Sequence, residues 1–140
     1  MTRNPDATLR GFILTGMAVA MLLGGVATRA ATDLTVWHAY RGDEKTAFEK
    51  VVAQFNAKQK DVVVRTLAVP YDAYADKISA SVPRGKGPDV FIFAQDRLGG
   101  WVEAGQTIEP IDFYVDEKIT SQLLPGMMAA MTYRDTVYGL

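Results

Sequence analysis

The sequence predicts an α/β domain built around a parallel sheet. Three segments rich in β-branched and aromatic residues alternate with segments of helical period, in the order β-α-β-α-β-α. Alternation of this kind is typical of parallel sheets, whose ligands bind beyond the carboxyl ends of the strands. The chain contains no cysteine, which excludes disulfides, thiol catalysis and cysteine metal sites.

The N-terminal segment, residues 1–30, has the pattern of a secretory signal peptide. Arg3 and Arg10 give a positive start, residues 11–27 form an uncharged apolar run, and Ala30 is a small residue suited to a cleavage position. We therefore expect cleavage after Ala30 and a periplasmic mature protein. A membrane anchor is the alternative, because an apolar run of about 17 residues is close to the lower limit for a spanning helix.

The mature segment, residues 31–140, is mildly acidic. Excluding three arginines and one aspartate of the N-terminal segment leaves 12 of 15 basic and 15 of 16 acidic residues, a net charge near −3. A segment with this net charge lacks the excess of basic residues that is typical of nucleic-acid-binding surfaces. The segment is long enough for one small domain.

The first predicted β-α-β unit spans residues 34–69. Leu34–His38 reads as the first strand, and residues 61–69 read as the second. Between them, Asp43 is placed to cap a helix over residues 44–58. The apolar face of that helix consists of Phe48, Val51, Val52 and Phe55.

The second unit leads to a third strand. Pro70 ends the second strand, and a helix is predicted for residues 71–82, with Tyr71, either Tyr74 or Ala75, and Ile78 on one side. Gly87-Pro88 marks a turn before the third strand, residues 90–94.

The C-terminal part contains shorter elements. Asp96 can cap a helix that runs to Ala104, with Gly105 as its left-handed stop. Helices are predicted for residues 116–124 and 125–131. The chain then forms a hairpin over residues 133–140, turning at Arg134-Asp135.

Two loops at the carboxyl ends of strands hold the candidate ligand-binding residues. Tyr40 and Arg41 follow the first strand, and Phe93, Asp96 and Arg97 lie at the end of the third. Planar charged groups can pair with neighbouring hydroxyls, and aromatic rings cover the C–H face of a sugar. This mixture predicts a neutral polyhydroxyl ligand.

Several of these residues also have a purely structural interpretation. Asp96 can serve only as a helix cap, Arg97 as an exposed ion-pair partner, and Phe93 as part of the core. Trp101 is assigned to packing. The single histidine, His38, lacks the partners that a metal site or a catalytic triad requires.

Three segments carry a family resemblance: Leu34–Gly42, Gln54–Asn56 and Gly87–Trp101. Together they resemble the maltose/maltodextrin-binding proteins, which are family 1 extracellular solute-binding proteins of ABC importers. The resemblance extends over residues 34–140. Asp96–Gly100 matches the maltodextrin branch more narrowly than the preceding Gly-Pro-Asp does.

The resemblance implies a type II periplasmic-binding-protein fold, the Venus flytrap, in which sugar binds between two lobes and closure presents the protein to a membrane permease. It implies that Asp96 and Arg97 hydrogen-bond sugar hydroxyls and that Phe93 stacks on the sugar, where the best-known members have tryptophan. It implies a receptor without catalytic activity or cofactor. Tyr40-Arg41 stands near the place of an Asp-Lys pair in those members, so the identity of the sugar stays open.

The family chain is considerably longer than this one. The resemblance therefore assigns residues 31–140 to part of the N-terminal lobe and places the second lobe outside the sequence. We expect this segment alone to bind maltotriose weakly or not at all.

Two other functions stay open from the sequence. One is binding of another solute, such as trehalose, a polyol or glycerol phosphate. The other is glycoside hydrolysis by a secreted α/β enzyme, which needs two carboxyl groups at a defined separation. Asp43 and Asp96 are the candidates for that pair.

Overall fold

The computed structural model describes residues 30–140. The predicted signal peptide therefore lies, apart from Ala30, outside the described residues. In the range 30–140, no helix is both long enough and apolar enough to cross a membrane.

A parallel sheet of β1 (Thr32–His38), β2 (Val62–Ala68) and β3 (Val90–Phe91) forms the centre of the fold. The strand order is β2-β1-β3, so β1 lies between the other two. Trp37 of β1 pairs with residues of both neighbours. The predicted α/β class with a parallel sheet is confirmed.

Two helices cover opposite faces of this sheet. The helix α1 (Gly42–Lys58) links β1 to β2, and α2 (Tyr71–Ser81) links β2 to β3. Right-handed crossovers that run in opposite directions place their helices on opposite faces. The side chains agree: the His38 ring meets Phe48 of α1 at 5.0 Å between centroids, whereas the neighbouring Trp37 belongs to a core cluster that includes α2.

The apolar core lies between the sheet, α2 and α3 (Leu98–Ala104). Its buried members are Trp37, Val69, Tyr74, Ile78 and Trp101. The Trp101 indole N–H donates a hydrogen bond to Ser79 Oγ at 3.0 Å, which satisfies its polar atom. The assignment of Trp101 to packing is confirmed.

Both helix caps expected from the sequence are wrong. The helix α1 begins at Gly42, so Asp43 lies in its first turn, where a carboxylate faces the positive end of the helix dipole. Asp96 lies within a 3₁₀ turn, Gln95–Arg97, that precedes α3, and no side chain caps either helix. A cap requires extended backbone one residue before the helix, and neither aspartate occupies that position.

The third strand is shorter than predicted. The ladder covers Val90 and Phe91, and one further hydrogen bond joins Ile92 N–H to the Trp37 carbonyl at 2.9 Å. Because β1 ends at His38, Phe93 has passed the last partner that β1 can offer. Phe93 therefore lies at the carboxyl end of the sheet rather than within it.

The predicted apolar face of α1 is only partly covered. Phe48 and Val52 are half-buried, whereas Val51 and Phe55 are 60% and 45% exposed. The helix packs mainly against β2, one of the two outer strands of the described sheet, and half of its apolar face stays exposed.

The C-terminal part holds two short helices, α4 (Glu117–Thr120) and α5 (Pro125–Ala130). The predicted helix over residues 116–124 is thus one turn long. Asp116 is its N-cap, and its carboxylate accepts a hydrogen bond from the Ile119 N–H at 3.0 Å.

The predicted C-terminal hairpin is confirmed. Its strands are β4 (Thr132–Tyr133) and β5 (Thr136–Val137), which pair antiparallel. The turn residues Arg134 and Asp135 have φ angles of 48° and 62°, as a two-residue type I′ turn requires. The Tyr133 hydroxyl donates to Glu103 of α3 at 2.7 Å and ties the hairpin to the domain.

Candidate functional site

The candidate site lies at the carboxyl end of β1, where the strand order changes direction. The connection from β1 moves to β2 on one side, and the next connection returns past β1 to β3 on the other. The loops after β1 and β3 therefore diverge and leave a crevice at the carboxyl ends of the two strands. Ligands of open α/β sheets bind in such crevices.

A cleft of about 290 Å³ occupies this position. Its lining comes from the loop after β1, the first turns of α1 and α2, and the segment after β3. The lining residues are Ala39, Tyr40, Arg41, Glu44, Tyr71, Tyr74, Ile92, Phe93 and Ala94. The volume is at the lower limit for small-molecule sites, about 300 Å³.

The structure brings three of the predicted residues into this one cleft: Tyr40, Arg41 and Phe93. Arg41 has extended backbone and immediately precedes α1. Gly42 follows with φ of 52°, a left-handed conformation that glycine adopts without strain. The glycine lets the helix begin directly after Arg41, so Arg41 stays among the residues that line the cleft.

His38 positions Tyr40 through a hydrogen bond to its backbone. The buried His38 accepts a hydrogen bond through Nδ1 from the Tyr40 backbone N–H at 3.1 Å. The ring of Tyr40 packs against both His38 and Phe48, with centroids 5.4 and 5.5 Å apart. Burial lowers the pKa of His38, and Glu49 opposes this shift while Lys45 adds to it. The neutral imidazole that the hydrogen bond requires is therefore the favoured form.

Phe93 is half-buried at the base of the cleft. Its ring is parallel to Tyr71 within 3°, with centroids 6.0 Å apart. Tyr74 and Trp101 approach it at 5.3 and 5.1 Å in tilted and edge-on arrangements. Phe93 therefore packs against the core and also lines the cleft, and its role in ligand binding stays a prediction.

Tyr74 lies deeper in the same wall and is fully buried. Burial raises the pKa of its phenol. Its hydroxyl makes no hydrogen bond of good geometry among residues 30–140, although the nearby Ile92 backbone opposes part of the pKa shift. At neutral pH it is a neutral group at the base of the cleft.

Asp96 and Arg97 do not line the cleft. Both are exposed, and their nearest charged atoms lie 4.0 Å apart. They follow Gln95 on the 3₁₀ turn, beyond the segment that reaches the cleft. The structure therefore places them farther along the same loop than Phe93.

The sequence analysis assigns three of the nine lining residues to the site and misses the other six, of which Glu44, Tyr71 and Tyr74 have polar side-chain groups. The sequence pattern predicts Glu44 at the start of a helix, and Tyr71 together with either Tyr74 or Ala75 on the apolar side of another. The sequence does contain a signal for Tyr71, because only Val69 and Pro70 separate it from the end of β2, so it also lies near the carboxyl end of a strand. In the structure Tyr71 is 53% exposed.

A larger groove, about 610 Å³, runs between β3 and the C-terminal hairpin. Its lining is mainly apolar, with Ile108, Ile111, Met131 and Tyr138 among its residues. We favour the smaller cleft as the ligand site, because it lies at the carboxyl ends of the strands and its lining combines polar side chains with aromatic rings. No cluster of three or more metal-ligating side chains occurs among residues 30–140.

Comparison with known proteins identifies relatives with this architecture. A maltotriose-binding protein of Pyrococcus abyssi is 31% identical over 76% of the chain, which spans 23% of that relative's length. The structure of CpMnBP1 with mannotriose bound matches with a TM-score of 0.70 at 28% identity, over 78% of this chain and 28% of that one. A cyclo/maltodextrin-binding protein complexed with maltotetraose matches with a TM-score of 0.69 at 30% identity, over 81% and 29% of the two chains.

These relatives have the type II periplasmic-binding fold, so the predicted fold is confirmed. The chain spans about a quarter of the length of these relatives. The sequence model of the bacterial extracellular solute-binding proteins matches residues 39–140. The chain therefore belongs to the bacterial extracellular solute-binding protein family.

Proposed function

We propose that the chain forms part of the N-terminal lobe of a periplasmic sugar receptor. The receptor binds maltose- or maltodextrin-like oligosaccharides between two lobes and delivers them to the permease of an ABC importer. The observation that carries this proposal is the cleft between the β1 and β3 loops, where polar and aromatic side chains converge.

The polar groups of the cleft suit sugar hydroxyls. Arg41 offers several N–H donors in one plane, and the carboxylate of Glu44 accepts hydrogen bonds. Such groups can pair with two neighbouring hydroxyls of one sugar ring. The Tyr40 phenol can donate or accept. Correct pairing gives selectivity, because an unpaired buried polar group costs about 1–3 kcal/mol.

The aromatic groups of the cleft suit the other surface of a sugar. Tyr71 and Phe93 present ring carbon atoms that can cover C–H groups. Asp96 and Arg97 are included in the proposed site as groups that hydrogen-bond hydroxyls of the same oligosaccharide outside the cleft. Their exposure leaves their polar atoms open to a ligand.

The relatives support an oligosaccharide as the ligand. One is named as a maltotriose-binding protein, another was solved with maltotetraose, and a third with mannotriose. We favour maltodextrins because two of these three names specify a malto-oligosaccharide.

A glycoside hydrolase is the less favoured alternative. Hydrolysis uses two carboxyl groups on either side of the bond, about 5–10 Å apart. The lining of the cleft contributes one carboxylate, Glu44, within the described residues. The sequence candidates Asp43 and Asp96 lie on different elements and are both exposed.

Saturation-transfer NMR tests the binding proposal on the full chain, because it detects weak ligands. We expect more saturation to pass from the protein to maltotriose than to mannitol or glycerol 3-phosphate. The maltotriose signal should fall in Arg41→Ala but not in Arg84→Ala, which changes an exposed residue outside the cleft. Of the weak or absent binding expected for this segment alone, the cleft favours weak binding, because it already combines polar and aromatic side chains. Absence of transfer to maltotriose, or loss of the signal in both variants alike, would therefore contradict the proposal. Release of reducing ends during the incubation would favour the enzyme instead.

Two measurements test export and transport. Mass spectrometry of the exported protein should give a mature chain that begins at Ala31. Deletion of the gene should lower the uptake of labelled maltotriose by the cells. An uncleaved N-terminus would favour a membrane anchor, and unchanged uptake would contradict the transport role.

A further inference from the structure

The aromatic residues of the cleft do not offer equal surfaces to a ligand. Phe93 is half-buried and has three aromatic neighbours, Tyr71, Tyr74 and Trp101, at centroid distances of 6.0, 5.3 and 5.1 Å. Tyr71 is 53% exposed. Of these aromatic residues, Tyr71 therefore presents the most open surface.

The space between Tyr71 and Phe93 is too narrow for a sugar. Their rings are parallel, with centroids 6.0 Å apart. A sugar ring inserted between two aromatic rings needs about 3.5–4.0 Å of carbon–carbon separation on each side, or roughly 7–8 Å in total. A sugar must therefore approach an outer surface of the pair, and Tyr71 forms its exposed member.

The position of Tyr71 is also fixed by the backbone. Tyr71 is the first residue of α2 and follows Pro70, whose ring restricts φ and whose carbonyl accepts from the Ala73 N–H at 3.1 Å. The parallel contact with Phe93 supports the ring from the core side. Such a ring loses little conformational freedom when a ligand binds to it.

We propose that Tyr71 provides the surface on which the sugar ring stacks, and that Phe93 supports Tyr71 from the core. This inference rests on the proposed sugar-binding function. It reassigns the stacking role that the family resemblance implied for Phe93. The ligand it selects is a pyranose that places its C–H face on Tyr71 and its hydroxyls near Arg41 and Glu44, which line the same cleft.

The test compares variants of the full chain in saturation-transfer titrations with maltotriose. Tyr71→Ala should weaken binding about tenfold, the effect of one aromatic contact of upper-range strength. Tyr71→Phe keeps the ring and should lie closer to wild type than to Tyr71→Ala. Tyr114→Ala is the matched control, because Tyr114 is 77% exposed and lies outside the cleft lining.

Direct contact is measured with ring-labelled tyrosine. We expect nuclear Overhauser effects between sugar C–H protons and a tyrosine signal that disappears in Tyr71→Phe. If Tyr71→Ala binds as wild type does while Phe93→Leu, still folded by its near-ultraviolet circular dichroism, does not bind, the stacking assignment is overturned and the sugar-binding function stands. If wild type itself shows no transfer to maltotriose, the proposed function fails and this inference fails with it.

Discussion

Asn56 of α1 exchanges two hydrogen bonds with the backbone of Val64 in β2. Its amide donates to the Val64 carbonyl, and its side-chain oxygen accepts from the Val64 N–H, each at 2.9 Å. β2 is one of the two outer strands of the described sheet, and the backbone groups of Val64 point away from β1. The asparagine takes the place of a neighbouring strand at this point and joins helix to sheet.

Replacing Asn56 should destabilise the protein. Asn56→Ala leaves both Val64 groups without their partner, and we expect the free energy of unfolding to fall by about 1–3 kcal/mol. Asn56→Asp retains only the accepting oxygen, so its free energy of unfolding should lie between those of wild type and Asn56→Ala. Urea unfolding measures the change, and Gln54→Ala on the exposed side of the same helix is the control. Equal stability of Asn56→Ala and Gln54→Ala would contradict this role.

Gly87 should not tolerate a side chain. A Cβ atom at this position would lie 2.5 Å from Cγ2 and 2.9 Å from Cα of Val82, so the backbone itself would have to move. We expect Gly87→Ala to lower the melting temperature. In Gly100→Ala the new methyl group meets open space within α3, and alanine should stabilise that helix by up to about 1 kcal/mol. Calorimetry should therefore show a lower melting temperature for Gly87→Ala and a higher one for Gly100→Ala. A Gly87→Ala protein as stable as wild type would refute the steric argument.

Asp89 should be a structural residue rather than a ligand group. Its Oδ2 accepts from the Thr35 N–H at 2.7 Å, and its own N–H donates to the Thr35 carbonyl at 3.0 Å. It thereby joins the start of β3 to β1. Because the hydrogen bond to Asp89 Oδ2 is exposed to solvent, Asp89→Ala should lower the free energy of unfolding by about 1 kcal/mol. Asp89→Asn keeps an accepting oxygen and should lower it less. Chemical denaturation of the two variants checks this order, and the reverse order would contradict it.

Local pattern was sufficient for much of the fold. The alternation of strands and helices and the turn at Arg134-Asp135 depend on residues close in sequence, and the structure confirms both. The caps at Asp43 and Asp96 failed because capping depends on backbone geometry one residue before the helix, which composition does not reveal.

The candidate site was predictable only in part. The sequence predicts that the loops after the first and third strands lie at the carboxyl edge of the sheet, and this edge brings Tyr40, Arg41 and Phe93 together. The strand order β2-β1-β3, which makes the two loops neighbours, comes from the structure. Tyr71 was missed because helical periodicity describes which side of a helix is apolar, not which end of it opens onto a cleft. The contacts that enclose Phe93 come from residues up to 22 positions away along the chain, which no local pattern contains.

Protonation of His38 should destabilise the protein at acidic pH. Burial lowers its pKa in the folded state below the ordinary value of 6.5. As pH falls below 6.5, the unfolded chain therefore binds a proton that the folded protein resists, and stability is lost. A protonated Nδ1 also can no longer accept the Tyr40 N–H, so the loop at the cleft loses its anchor.

The matched variant for this prediction is His38→Asn. Its side-chain oxygen can accept the Tyr40 N–H but does not titrate. Carboxylates contribute the same pH dependence to both proteins, so the difference between them isolates His38. We expect the melting temperature of wild type to fall more steeply between pH 7.5 and pH 5 than that of His38→Asn, in unfolding followed by tryptophan fluorescence. Parallel curves for the two proteins would show that His38 does not govern the acid sensitivity of this loop.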